Sequence, residues 1–238
     1  MVKLLFNEWV KFKKSNLILW SVLIASMPLI IGGSLMISLG DAMEVDGLRY
    51  MNSILWIQVR FNALYLFTYV ASGLMALEFK TDVLKMFWIM PTSKTMFFFS
   101  KIIFLSLWSL IVSLLSYLLS LMFIKIMIHG QLSLEGMLDN LLFFIISSIL
   151  TWPFMYFSVL LVLIFKKIWP ALVINTIIFI STLLLSPYTW SDKVPWLSPT
   201  KIMLSVGDKG NGGSYLSLII FASSVLYLGY QSIHKVEV

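Results

Sequence analysis

Few residues in this sequence could do chemistry. Glu78 is the nearest approach to a proton-relay carboxylate, and it stands at the end of a hydrophobic stretch rather than inside one. No pair of carboxylates falls within such a stretch. That argues against an aspartyl protease working in the membrane and against ion-coupled transport, since both need ionisable groups at depth. At the position of Glu78 a solvated or lysine-paired glutamate is the ordinary case. The two histidines, His129 and His234, are expected on opposite sides of a membrane, and no HExxH occurs, so a zinc site built from both is excluded. Gly207-Asp208-Lys209-Gly210-Asn211-Gly212-Gly213 is glycine-rich but lacks the Lys-Ser/Thr end that a phosphate-binding loop requires. Cysteine is absent, which removes disulfides and thiolate chemistry. No catalytic, cofactor-binding or metal-binding residue is assigned.

The elements that must carry these residues are membrane helices. Of the 238 residues 60 % are hydrophobic and 12 % charged, against roughly 45–50 % and about 25 % in a soluble domain. The mean hydropathy is +0.95. The fold class is therefore an all-α membrane protein, with one transmembrane domain over 1–238 and no room for a second, soluble one. The formal net charge of +6 marks a cytoplasmic face and its anionic lipid rather than a nucleic-acid partner. Residues 1–16 form an amphipathic in-plane helix: Leu5, Trp9 and Phe12 recur on one face, and Lys3, Lys11, Lys13 and Lys14 supply charge. It leads into a full-length span, unlike a cleavable signal peptide.

Six spans are expected, at about 17–39, 54–77, 102–124, 141–165, 168–190 and 215–230. The first contains Pro28 and the pair Gly32-Gly33, which allow a kink and close packing. Arg60 sits near the outer end of the second, where an arginine snorkels or, less often, lines a polar route. In the third, Ser106, Ser109, Ser113, Ser116 and Ser120 form a stripe. Such a stripe ordinarily packs helices. Alternatively it walls a substrate path, with Ser109, Ser113, Ser116 and the fourth span's Thr151 facing cargo. Lys125–Asn140 reads as an outer loop and Lys166-Lys167 as a very short inner turn. The outer segment 191–214 carries Trp196 among prolines, at home at an interface and a candidate cargo contact. Eleven lysines (3, 11, 13, 14, 80, 85, 94, 101, 166, 167 and 235) fall on one side of this layout, against Arg49, Arg60, Lys125, Lys193, Lys201 and Lys209 on the other. The first side, with both termini, is therefore expected to be cytoplasmic.

On that side lies Glu78–Lys101. Thr81 or Asp82 can cap a short helix through Val83, Leu84, Phe87 and Trp88, and Pro91 stops it. Ser93 can cap the next helix, whose start Lys94 and Lys101 are expected to hold at the headgroups. The stretch is either a handle for a soluble partner or an interfacial loop with snorkelling lysines.

These residues carry a resemblance. The chain resembles the permease subunit of ABC-2 type exporters, in particular the small six-span permeases of lantibiotic-immunity and bacitracin-resistance ABC transporters of Gram-positive bacteria. The matching features are Glu8 and Lys11 in the in-plane helix, and the loop Glu78…Leu84…Pro91-Thr92-Ser93-Lys94…Lys101. Lys80-Thr81 stands where the family has Gly-Thr, and Lys94 where it has arginine. The resemblance implies a transport subunit that is not itself an enzyme. It would pair with a second copy or a similar permease and dock a separate ABC ATPase through Glu78, Lys80, Thr81, Leu84, Pro91, Ser93, Lys94 and Lys101. ATP and magnesium would reside on that partner, with no cofactor on this chain. The implied cargo is a peptide antibiotic removed from the membrane. Another lipid-like or drug-like amphiphile, a non-transporting scaffold or sensor, and a membrane-embedded hydrolase stay open beside it.

Overall fold

In the computed structural model the described residues are 2–39, 47–80, 94–128, 134–186, 188–204 and 212–235, and they form helices and short turns with no strand among them. The α-helices are α1 (Val2–Lys14), α2 (Leu17–Leu39), α3 (Gly47–Ile57), α4 (Phe67–Lys80), α5 (Lys94–Phe123), α6 (Leu134–Phe165), α7 (Ile168–Leu185), α8 (Ser198–Leu204) and α9 (Gly212–Lys235). A π-helical stretch, Gln58–Leu66, joins α3 to α4 without a break, and a second one, Ile124–Ile128, extends α5. Two 3-10 turns, Thr189–Lys193 and Pro195–Leu197, lead into α8.

Among the described residues, five helices are long and apolar enough to cross a membrane, over Leu17–Ser34, Lys94–Ile126, Leu134–Phe165, Ile168–Leu185 and Gly213–Ser232. The second expected span, 54–77, falls on the α3–π–α4 run. There α3 has 11 residues and α4 has 14, each short of the roughly 20 a lone spanning helix needs. The helices also begin earlier than hydropathy suggests. α5 starts at Lys94 rather than 102, α6 at Leu134 rather than 141, and α9 runs from Gly212 to Lys235 rather than 215–230. Hydropathy reports the apolar middle of a helix, while the backbone ladder continues into its polar ends. The expected outer loop 125–140 shrinks accordingly. Both Pro28 and Pro153 lie inside continuous helices.

α4 sits near the middle of the packing. Its Phe67, Val70, Ala71, Leu74 and Met75 are buried with Phe97, Phe98, Leu105 and Trp108 of α5 and Met155, Val159 and Val162 of α6. Small residues set the close approaches. A Cβ on Gly32 would stand 3.2 Å from the Ile54 side chain, and one on Gly33 3.4 Å from the Phe123 ring, so the pair lets α2 lie against α3 and α5. α1 turns inward a face that includes Glu8 and Phe12, both about 2 % exposed, and leaves Phe6 and Trp9 exposed. The expected stripe of Leu5, Trp9 and Phe12 is thus graded in depth: Phe12 packs edge-to-face on Phe104 and Trp108, while Trp9 stacks on Phe12 from the exposed side.

Candidate functional site: a buried charge cluster between α1, α4 and α5

Four charged side chains from three helices meet where α4 ends and α5 begins. The Lys101 ammonium donates to Glu8 Oε2 at 2.8 Å and to Glu78 Oε1 at 2.7 Å. The Lys11 ammonium donates to the same Glu78 oxygen at 2.8 Å and stands 3.5 Å from Glu8 Oε1. The side chains of Glu78 and Lys101 are each 1 % exposed and that of Glu8 is 3 % exposed, whereas Lys11 reaches solvent at 33 %. The Phe97 ring lies 4.7 Å from the Lys101 ammonium, close enough for a cation–π contact. Two carboxylates and two ammoniums leave no net charge, which is the condition for keeping such groups out of water.

Burial alone would pull Lys11 down, but its hydrogen bond to Glu78 and the charges of Glu8 and Glu78 leave it raised above 10.5. Burial alone would likewise raise Glu78, yet Lys101 and then Lys11 outweigh it and hold the carboxyl below its ordinary 4.5. Each group is thus kept ionised by its partners. Within the described residues Glu78 Oε2 accepts no hydrogen bond. The lysine-paired reading of Glu78 is the one the structure displays. Lys101 differs from expectation. It does not reach the headgroups, because two buried carboxylates hold it inside.

The cluster stands at both borders of the stretch singled out in the sequence. Thr81, Leu84, Pro91 and Ser93 lie outside the described residues. Lys80, the last residue of α4, is exposed, and Lys94, the first of α5, is half-buried. Sequence reasoning had Glu8, Lys11, Glu78 and Lys101 in hand as separate flanking charges. Their meeting is tertiary, across 67 residues for Lys11–Glu78 and 93 for Glu8–Lys101. The available signal was the excess of paired charges at the ends of otherwise apolar helices.

The serine stripe of α5 lies between helices. Ser109 Oγ accepts from Ser148 Oγ at 3.1 Å and from Trp152 Nε1 at 3.0 Å, both on α6. Ser113 accepts from Gln58 Nε2 at 3.1 Å, and Ser116 donates to the Ala25 carbonyl of α2 at 2.9 Å. Thr151 donates to the Ser148 carbonyl at 2.7 Å within its own helix. Trp196 is partly buried against Phe154, Ile202 and Leu218.

Glu8, Lys11, Glu78 and Lys101 all fall within residues 4–182, which match the model of a family described as ABC-2 family transporter protein. The chain belongs to the ABC-2 transporter family. No curated protein matches it. A member of this family is the non-catalytic, multi-pass transmembrane subunit of an ABC exporter, and ATP is hydrolysed on a separate ABC ATPase chain. The four-charge cluster is therefore part of a non-catalytic transport subunit.

Proposed function

We propose that this ABC-2 permease has six spans with both termini in the cytosol, and that it moves an amphiphilic peptide antibiotic out of the membrane of a Gram-positive cell. In this reading two permease chains, identical or similar, enclose the path. The ATPase grips 78–101 through Lys80, Thr81, Leu84, Pro91, Ser93 and Lys94, while Glu78 and Lys101, each 1 % exposed, pass the load into the helices instead of touching the partner, and ATP and magnesium stay on the ATPase. The observation that carries the reading is the charge cluster. A segment bounded by α4 and α5 has both borders tied to α1 by buried ion pairs, so a push on the segment loads three helices together instead of bending one loop. Bistable packing then converts the push into rocking of the spans. The span run 54–77 supports six crossings because the helix continues through its π-helical middle. Trp196, on the cap formed by the 3-10 turns and α8, supports peptide contact at the opposite end, where an amphipathic ring suits the headgroup level.

Pro91→Ala, Glu78→Gln and Lys94→Ala test the coupling. Alanine at 91 removes the helix stop, and glutamine at 78 removes a charge from the cluster. The expected outcome is weaker co-purification of the ATPase, lower ATP turnover, or both. Binding and turnover unchanged in all three variants would place the grip elsewhere.

A further inference from the structure

Arg60 belongs to the π-helical stretch Gln58–Leu66, roughly 25 Å along the same helical run from Glu78 at 1.5 Å per residue. In a hydrocarbon core about 30 Å thick, that distance brings it near the edge opposite the charge cluster. The guanidinium is half-buried. Its carbon lies 3.5 Å from the centre of the Trp56 ring, and Nη2 donates to Ser186 Oγ at 2.7 Å. Both partners are neutral. A guanidinium has five N–H donors, and among the described residues no carboxylate forms an ion pair with it. Lys11 and Lys101 differ in this respect, since each faces two carboxylates.

Trp56 also lines a cavity of 310 Å³ with Leu55, Val59, Phe143 and Met203, where Asn52 and Thr200 supply the polar groups. A cation lacking a counter-charge and an apolar cavity therefore share one indole. The cation alone would suit any anion, and the cavity alone any hydrocarbon. A π-helical stretch of this kind is frequent at functional sites, because the wider turn re-aims side chains.

We propose that Arg60 and this cavity form a phospholipid site. The guanidinium takes the phosphodiester and one acyl chain enters the cavity beside Trp56. A planar fork stacked on an aromatic face matches two phosphate oxygens at once, and from a position near the hydrocarbon edge a long arginine side chain can reach the headgroup level. The site does not depend on which cargo is exported.

Binding to the purified permease–ATPase complex in mild detergent tests the site. Native mass spectrometry would follow added phosphatidylglycerol, a diacylglycerol with the same chains, and inorganic phosphate. Phosphatidylglycerol is expected to bind about tenfold more tightly than diacylglycerol, the worth of one charge-assisted hydrogen bond or more. Arg60→Gln removes that advantage and leaves diacylglycerol unchanged. Val59→Trp, which fills the cavity, weakens both lipids. Equal binding of the two lipids to the unmodified complex would overturn the proposal, as would an undiminished preference for phosphatidylglycerol in Arg60→Gln. Displacement of the lipid by millimolar inorganic phosphate would also overturn it, since the site would then be one for free phosphate. The comparison between lipids needs no variant, so poor folding of Arg60→Gln leaves the test intact.

Discussion

Glu78→Gln leaves two ammoniums facing the single carboxylate of Glu8. Lys101→Met leaves Glu8 and Glu78 opposed only by Lys11. Lys101→Met strands a buried carboxylate, at about 3–5 kcal/mol, and Glu78→Gln costs less, because the unmatched charge falls on Lys11, which reaches solvent. The double variant restores neutrality around the remaining Glu8–Lys11 pair, so its loss of stability is expected to fall short of the sum of the single losses by about 1–3 kcal/mol. Thermal unfolding of the four proteins in detergent measures this; strictly additive losses would mean the cluster is not a coupled unit. The pH dependence follows from the same contacts. Glu78 is held below 4.5, so its contribution is present above that value and is lost as the pH falls through its folded pKa. Lys11 is raised above 10.5, so its contribution is present below that value and is lost as the pH rises through its own. The gap in melting temperature between the native chain and Glu78→Gln is expected at pH 7 and narrows below about pH 4.5. Every member of the cluster was visible in the sequence as a charge beside an apolar helix. Their convergence was not, because local pattern carries no record of which distant helix ends share a space.

At the level of elements, α9 meets the head of α5 through Gly229. A Cβ there would come within 2.6 Å of the Phe98 ring, and Phe98 is only 2 % exposed, so the ring has little room to move. Gly229→Ala is expected to lower stability by about 1–3 kcal/mol through overpacking, and Phe98→Leu in the same chain should recover part of that loss. Melting temperatures of the two variants decide it; an unaffected Gly229→Ala would show that α9 is free to shift. The existence of α2, α5, α6, α7 and α9 was legible, because an apolar run of span length leaves few alternatives in a bilayer, and that of α1 from the helical spacing of its apolar residues. Their ends were not, since Lys94, Glu135 and Asp139 lower the hydropathy without interrupting the helix. The π-helical stretch was also hidden: its turns differ from α-helical ones in backbone register, and the residue types of Gln58–Leu66 do not announce that. The serine stripe was legible as a stripe, and its hydroxyls meet neighbouring helices at Ser109, Ser113 and Ser116.

For the whole molecule, the absence of cysteine gives a clean background for topology. With both termini in the cytosol, Ser133→Cys and Ser205→Cys are expected to react with an impermeant thiol reagent on intact cells, and Ser93→Cys only after lysis. The reverse pattern would invert the orientation. Deleting the chain in its host is expected to sensitise the cell to a lantibiotic or to bacitracin, read as growth under challenge. A deletion strain as resistant as its parent to each peptide, yet sensitive to a non-peptide amphiphile, would assign another cargo. The span between Glu8 and Lys101, 93 residues, has a consequence for how the chain is made. A ribosome adding about 5–20 residues per second finishes Glu8 several seconds before Lys101 exists. Through that interval the N-terminal helix has no ammonium from α5 to receive it, and Glu8 stays hydrated at the bilayer surface. The first helix translated thus settles only once the head of α5 has arrived, while α6, α7 and α9 are still to be made.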